Sequence, residues 1–295
     1  MARPLGRREF LKVSTAVSAA VVGLSAAAQE PKRPRLRKAV KYGMIRLPDG
    51  VPATHKAKLE LAKTCGFAGV EIDSPGTANL DDLVAASKET GVVVHGVVDS
   101  VHWRDTLSHP DEAVRARGLA ALNGALEDAR KVGADTVLLV PGVVNKDVSF
   151  DQCWERSTAE VRKALPLAEK LRVKIAVEVV WNNFITTPDQ LIRYVDQFRS
   201  EWVGAYFDCS NMIRYGVPPA EWIRRLGRRM LKFDFKGYSN ARQWVAIGEG
   251  DENWPEVLKA LAEVGYTGWA TAEVGGGGED VLRRISAQMD RVLGL

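Results

Sequence analysis

Eight times between residues 40 and 293, a short run of apolar and β-branched residues is followed by a longer amphipathic stretch, and no other feature restricts the fold so tightly. The short runs are Val40–Ile45, Ala68–Asp73, Val92–Val98, Thr136–Val140, Lys174–Val180, Val203–Asp208, Met230–Lys236 and Gly268–Glu273. The stretches at 54–65, 80–90, 111–132, 151–171, 188–198, 219–228, 254–263 and 279–293 carry helical periodicity, and several open on Asp, Thr or Pro where a cap belongs. Parallel strands joined by crossover helices produce this pattern. Eight such units in about 255 residues are the size of a single closed (β/α)8 TIM barrel of the α/β class. An open doubly wound sheet would place a Gly-rich phosphate loop after its first strand. Here that strand runs into Arg46-Leu-Pro-Asp-Gly50, with no GxGxxG.

The segment ahead of the barrel reads as an address. Arg7-Arg8-Glu9-Phe10-Leu11-Lys12 precedes an apolar run from Val13 to Ala28, and Ser25 to Ala28 supplies the small residues a signal peptidase accepts. A twin-arginine export signal over 1–30 is the expectation, with a periplasmic or other extracytoplasmic destination and membrane contact only during export. An anchor is the alternative, but the run is short for a span. Residues 31–39, punctuated by Pro31 and Pro34 and rich in Lys and Arg, read as a basic linker, which leaves 40–295 for the barrel.

Charge distribution narrows the partners. Residues 1–40 carry nine of the 41 basic side chains and two of the 37 acidic ones, leaving 32 against 35 over 41–295. The expected barrel is therefore slightly acidic, and a nucleic-acid partner is disfavoured. Three cysteines, Cys65, Cys153 and Cys209, have no CxxC spacing and give neither a disulfide framework nor a zinc knuckle.

Chemistry in such a barrel gathers at the carboxyl ends of the strands. The fifth strand delivers Glu178, the sixth Asp208, the seventh Asp234 and the eighth Glu273. Val177, Phe207, Phe233 and Ala272 hold the opposite parity and should face the helices, so the four acids should point together into the mouth. Four converging carboxylates repel one another, and burying them unpaired costs several kcal/mol each or forces protonation. One divalent cation would neutralise them, and an all-oxygen set favours Mn²⁺ or Mg²⁺ over zinc. The competing expectation is that Arg or Lys at the rim claims one or two of the acids.

These residues resemble the xylose isomerase-like barrels, which include sugar phosphate isomerases and epimerases. In that family a Glu, an Asp, a His and a Glu on strands five to eight hold one metal. Glu178, Asp208 and Glu273 match, while position 234 carries Asp in place of His. Gly133-Ala-Asp-Thr-Val137 with Pro141-Gly142, and Gly248-Glu-Gly-Asp251 with Trp254, are further points of likeness. Two motifs depart: Asp-x-x-His reads Asp208-Cys-Ser-Asn211, and His-x-Lys-Asp reads Asp234-Phe-Lys236-Gly237. The resemblance implies a metal-dependent isomerase or epimerase in which Glu178 and Glu273 move a proton through an enediolate that the ion stabilises as a Lewis acid. Asp208 and Asp234 would be ligands. Family members often form dimers or tetramers, so a homo-oligomer is implied.

The loss of both histidines makes the site more negative. Lys236 and Arg242 are expected to offset part of that charge, and a phosphorylated substrate should be repelled in favour of a neutral sugar or keto-sugar. Asn211 is expected to meet a substrate hydroxyl. Glu71 and Asp73 share a parity, and Glu71 suits substrate contact or a rim ion pair equally well. His102 suits substrate contact or a loop role, and His95 suits the core. Trp181, with Asn182 and Asn183, could wall a sugar ring. Cys209 reads as a buried filler, and Gly275–Gly278 as a loop or, less readily, an anion cradle. Two other outcomes stay open: a keto-sugar or keto-glycoside lyase or hydratase on the same metal site, and a non-catalytic carbohydrate-binding protein.

Overall fold

The structure, a computed structural model, describes residues 34–294. The expected export signal over 1–30 and the start of the basic linker lie outside the described residues. Eight parallel strands close into a barrel in chain order: β1 (Arg37–Lys41), β2 (Gly69–Ser74), β3 (Val93–Asp99), β4 (Thr136–Leu139), β5 (Lys174–Glu178), β6 (Val203–Asp208), β7 (Met230–Phe235) and, past a short ribbon, β10 (Trp269–Ala272), which pairs with β1. The ribbon is antiparallel, β8 (Tyr238–Ser239) with β9 (Gln243–Trp244). The helices are α1 (His55–Thr64), α2 (Leu80–Thr90), α3 (Glu112–Val132), α4 (Phe150–Leu171), α5 (Pro188–Asp196), α6 (Cys209–Ile213), α7 (Pro219–Leu226), α8 (Trp254–Glu263) and α9 (Glu279–Leu293). Among the described residues no helix is long and apolar enough to cross a membrane.

The helices start where their caps dictate. Ser149 and Thr187 each complete a capping box with a Gln three residues on, and Thr54, Asp111 and Asn253 accept from first-turn N–H groups. Strand parity sorts the side chains as expected. Val177, Phe207, Phe233 and Ala272 are buried in the core beneath the helices, whereas Leu138, Ala176 and Tyr206 pack in a separate cluster. Register irregularities serve the polar interior. Between β2 and β3, Val70 faces Val94 but Glu71 faces Gly96, and a Cβ on Gly96 would lie 2.5 Å from Glu71 Oε1. Glycine there makes room for a buried carboxylate.

Two departures from the expected elements bear on the site. β1 opens at Arg37, inside the stretch read as linker, and ends at Lys41, after which Tyr42–Met44 turn as a 3₁₀ helix. Charged Arg37 and Lys38 enter the strand because their stems lie along the barrel base: the Arg37 guanidinium sits 3.9 Å from the Trp269 ring centre and Lys38 Nζ pairs with Asp290. The ribbon was not foreseen, because two-residue strands carry no periodicity. It is held by contacts to the 248–252 run: Asp251 N–H donates to Tyr238 O at 2.7 Å, and Glu252 Oε1 accepts from Tyr238 N–H at 2.8 Å.

Candidate active site

Four strand ends bring Glu178, Asp208, Asp234 and Glu273 together, with one carboxylate oxygen from each lying within 4.8 Å of the others. Glu178, Asp208 and Asp234 are buried, and Glu273, 40% exposed, opens to the mouth. Asp208 is oriented by the chain beyond it, because its Oδ1 caps α6 by accepting from the N–H groups of Ser210 at 2.8 Å and Asn211 at 3.1 Å. Its Oδ2 is left for the cage. Glu178 Oε1 is buried without a hydrogen-bond partner.

Two lysines enter this cluster. Lys236 Nζ lies 2.7 Å from both Asp208 Oδ2 and Glu273 Oε2, so the expected charge compensation by Lys236 is in place. Arg242 does not join it. The Arg242 side chain is exposed and donates to Glu249 O, because the ribbon turns it away from the mouth. Its place is taken by Lys41 at the end of β1, whose Nζ pairs with Glu71 Oε2 and lies 3.1 Å from Asp234 Oδ2. Tyr206 lies against both acids, its hydroxyl 2.7 Å from Asp234 Oδ1 and 3.0 Å from Glu71 Oε2. Glu71 is thus a buried ion-pair partner below the pocket. Lys41 and Tyr206 escaped sequence reasoning; the strand-end rule would have found Lys41 had the first strand been ended correctly.

A cavity of 560 Å³ opens above the cage and is lined by Lys41, His102, Glu178, Trp181, Asn211, Lys236 and Glu273, among others. Asn211 Nδ2 donates to Val179 O at 3.2 Å, and Trp181 Nε1 to Asn211 O at 3.1 Å, which ties this wall together. His102 Nδ1 accepts from Val140 N–H at 3.3 Å, leaving Nε2 as the ring's donor, and burial holds its pKa down at about 4, so the ring is neutral at physiological pH. His95 stays in the core, stacked on Trp269. Cys209 is buried. The Gly275–Gly278 run is a pinned loop in which Gly277 N–H donates to Met44 O at 2.9 Å and Gly277 O accepts from Arg46 N–H at 3.0 Å.

The acids have unlike proton affinities. Burial pushes Glu178 up to about 8, helped by Glu273 and opposed by Lys236. Burial also works against ionisation of Glu273, but Lys41 and Lys236 outweigh it and hold that carboxyl at about 2. Burial raises Asp234 as well, against the pull of Lys41. An orphaned buried oxygen, a buried acid that resists ionisation and four convergent oxygens together fit a divalent cation, with Glu178, Asp208, Asp234 and Glu273 as the residues to hold it.

In metal-free protein, between about pH 4.5 and 8 the folded chain keeps a proton on Glu178 that the unfolded chain has released, so the contribution of Glu178 to stability falls as pH rises through that window. Glu273, with its pKa depressed, contributes its pH dependence only below about pH 4.5. Below about pH 6.5 the buried, neutral His95 and His102 act in the opposite sense, because the unfolded chain protonates them, so thermal melts of chelator-treated protein should shift down between about pH 6.5 and 8, and saturating Mn²⁺ should flatten that slope. A melting temperature that climbs between about pH 6.5 and 8 would contradict this charge arrangement.

A family model described as a xylose isomerase-like TIM barrel matches residues 59–290. The chain belongs to the xylose isomerase-like TIM barrel family. A curated relative, L-ribulose-5-phosphate 3-epimerase UlaE of Salmonella paratyphi B, is 30% identical over 223 residues, covering 72% of this chain and 78% of its own length. Among solved structures, the 3-keto-D-glucoside 4-epimerase YcjR of E. coli superposes with a TM-score of 0.74 at 18% identity, covering 88% of this chain and all of that one. The IOLI protein with a bound zinc atom superposes with a TM-score of 0.74 at 18% identity, over 88% of this chain and 98% of that one. Within this xylose isomerase-like family the protein is a sugar isomerase/epimerase-like enzyme.

Proposed function

We propose that the chain is a divalent-metal-dependent isomerase or epimerase of an unphosphorylated sugar or keto-sugar, delivered outside the cytoplasm by its twin-arginine segment. The observation that carries the reading is the convergence of four carboxylate oxygens around a buried, unpartnered Glu178 oxygen at the floor of a polar cavity. A divalent ion bound there would supply Lewis-acid charge and offset two of the four negative charges, with Lys236 and Lys41 beside the rest. Glu178 and Glu273 flank the reacting carbon, one taking its proton and the other returning one to the enediolate. Lys236 holds Glu273 and Asp208 in place, while His102 and Asn211 are placed to meet substrate hydroxyls.

Charge supports an unphosphorylated substrate, although the UlaE relatives are named for a phosphate ester. The cationic residues lining the cavity are Lys41 and Lys236, and both are engaged by carboxylates. A phosphate would have to compete with Asp234, Glu71, Asp208 and Glu273 for them.

The test is proton exchange in D₂O with unphosphorylated ketoses and 3-keto-sugars. Deuterium uptake with conserved mass supports isomerisation or epimerisation. Loss of a leaving group or gain of water would replace it with a lyase or hydratase, and binding without exchange would leave a carbohydrate-binding protein. A variant adds a check on the ligand set: Asp234→Asn should reduce the Mn²⁺-dependent rise in melting temperature, and an undiminished rise would remove Asp234 from it.

A further inference from the structure

The mouth of the barrel does not end at the reaction cavity. A second cavity of 400 Å³ lies against it, lined by Lys236, Gly237, Trp244, Val245, Glu273, Val274 and Gly275, and Lys236, Trp244 and Glu273 line both spaces. The ribbon β8–β9 places Trp244 there. One face of the indole stacks on Trp181, with ring centres 5.0 Å apart and planes at 20°, and the Arg214 guanidinium sits 4.7 Å from the Trp181 ring centre. Tyr238 packs edge-on against both tryptophans. Trp244 is thus held rigidly yet is 50% exposed, with Lys236 Nζ 5.6 Å from its ring centre, so indole surface is open to a ligand at the cavity wall.

The charge of the second cavity selects its occupant. Its charged residues, Lys236 and Glu273, are paired with each other at 2.7 Å, so the space is close to neutral. The remaining lining is an indole, two valines and two glycines. An uncharged ring with apolar C–H faces and hydroxyl edges matches that lining, and a phosphate does not. The first cavity, at 560 Å³, lies within the roughly 300–1,000 Å³ that holds a whole small ligand. A second space of 400 Å³ that shares Lys236, Trp244 and Glu273 with it has room for a further ring.

We propose that the cavity beside Trp244 is a subsite for a second, neutral sugar ring, so that the enzyme takes a disaccharide-sized substrate with its reacting ring at Glu178 and Glu273 and the other ring stacked on Trp244. This rests on the sugar-converting reading above and names the size and charge of its substrate.

The test compares the full chain, loaded with Mn²⁺, on three ketose-terminated disaccharides (isomaltulose, lactulose and turanose) and on D-fructose, by calorimetric binding and by deuterium exchange. At least one disaccharide should bind about tenfold more tightly than fructose. Trp244→Ala should lower that preference ratio by a similar factor. Gly275→Phe should do the same by filling the cavity, since no atom lies within 4 Å of where a Cβ on Gly275 would sit. No preference in the wild type, or a ratio unmoved by both variants, overturns the subsite. A ratio unmoved while Trp244→Ala dissolves a dimer overturns it too, by assigning the indole to a subunit contact. A preference that both variants abolish, with no deuterium exchange on any sugar, keeps the subsite and removes the proposed reaction instead.

Discussion

Glu178→Gln is expected to stop solvent deuterium from entering the substrate, with a loss of about 10²- to 10⁴-fold, while the fold remains intact. The side chain is buried at the end of β5, and its Oε1 has no hydrogen-bond partner to lose. The amide is nearly isosteric but cannot exchange a proton with carbon. It also withdraws one anionic donor from the cage, so Mn²⁺ affinity should fall with activity. Because Glu178 shares the pH-dependent burden of the metal-free state with Asp234, the variant should in addition show a shallower decline in melting temperature between about pH 6.5 and 8. Retained exchange would take Glu178 out of the mechanism. Lost exchange with an unchanged pH slope would show that Glu178 does not hold its proton as the geometry implies.

Lys41→Met is expected to have the largest effect on stability. Lys41 pairs with Glu71 and Asp234, whose side chains are wholly buried, and it is the ammonium group that reaches both. Removing one partner of a buried pair leaves uncompensated charge and costs about 3–5 kcal/mol. For a domain of this size that lowers the melting temperature by roughly 10 °C. Adding Glu71→Gln should restore part of the loss, because one orphaned carboxylate then becomes neutral. A single variant within about 0.5 kcal/mol of the wild type would mean that the acids take up protons freely and that Lys41 is not needed to hold them.

The barrel was legible because its periodicities are long and repeated: β5, β6 and β7 fall where runs of Val, Ala and Phe alternate with Glu178, Asp208 and Asp234. The same parity rule located the four acids, since each stands at a strand end with an apolar neighbour facing the helices. It failed at β1, where Tyr42, Met44 and Ile45 extend the apolar run beyond the end of the strand at Lys41. The strand end is set by pairing with β2 and β10, which brings Lys41 rather than Ile45 to the mouth. Arg242 was misplaced for a related reason. Its position depends on a ribbon of two-residue strands fixed by contacts to Asp251 and Glu252, and such contacts are invisible to local pattern. Trp244 owes its stacking on Trp181 to the same ribbon.

The central claim is that Glu178, Asp208, Asp234 and Glu273 form a site for one divalent cation, although Lys236 and Lys41 already lie among them. The most direct measurement is a Mn²⁺ titration of chelator-treated protein, with the bound metal counted by elemental analysis. One ion per chain, lost in Glu178→Gln and in Asp208→Asn, is the predicted result. No binding at millimolar Mn²⁺ would contradict the claim and leave the two lysines as the cations that hold the cage together.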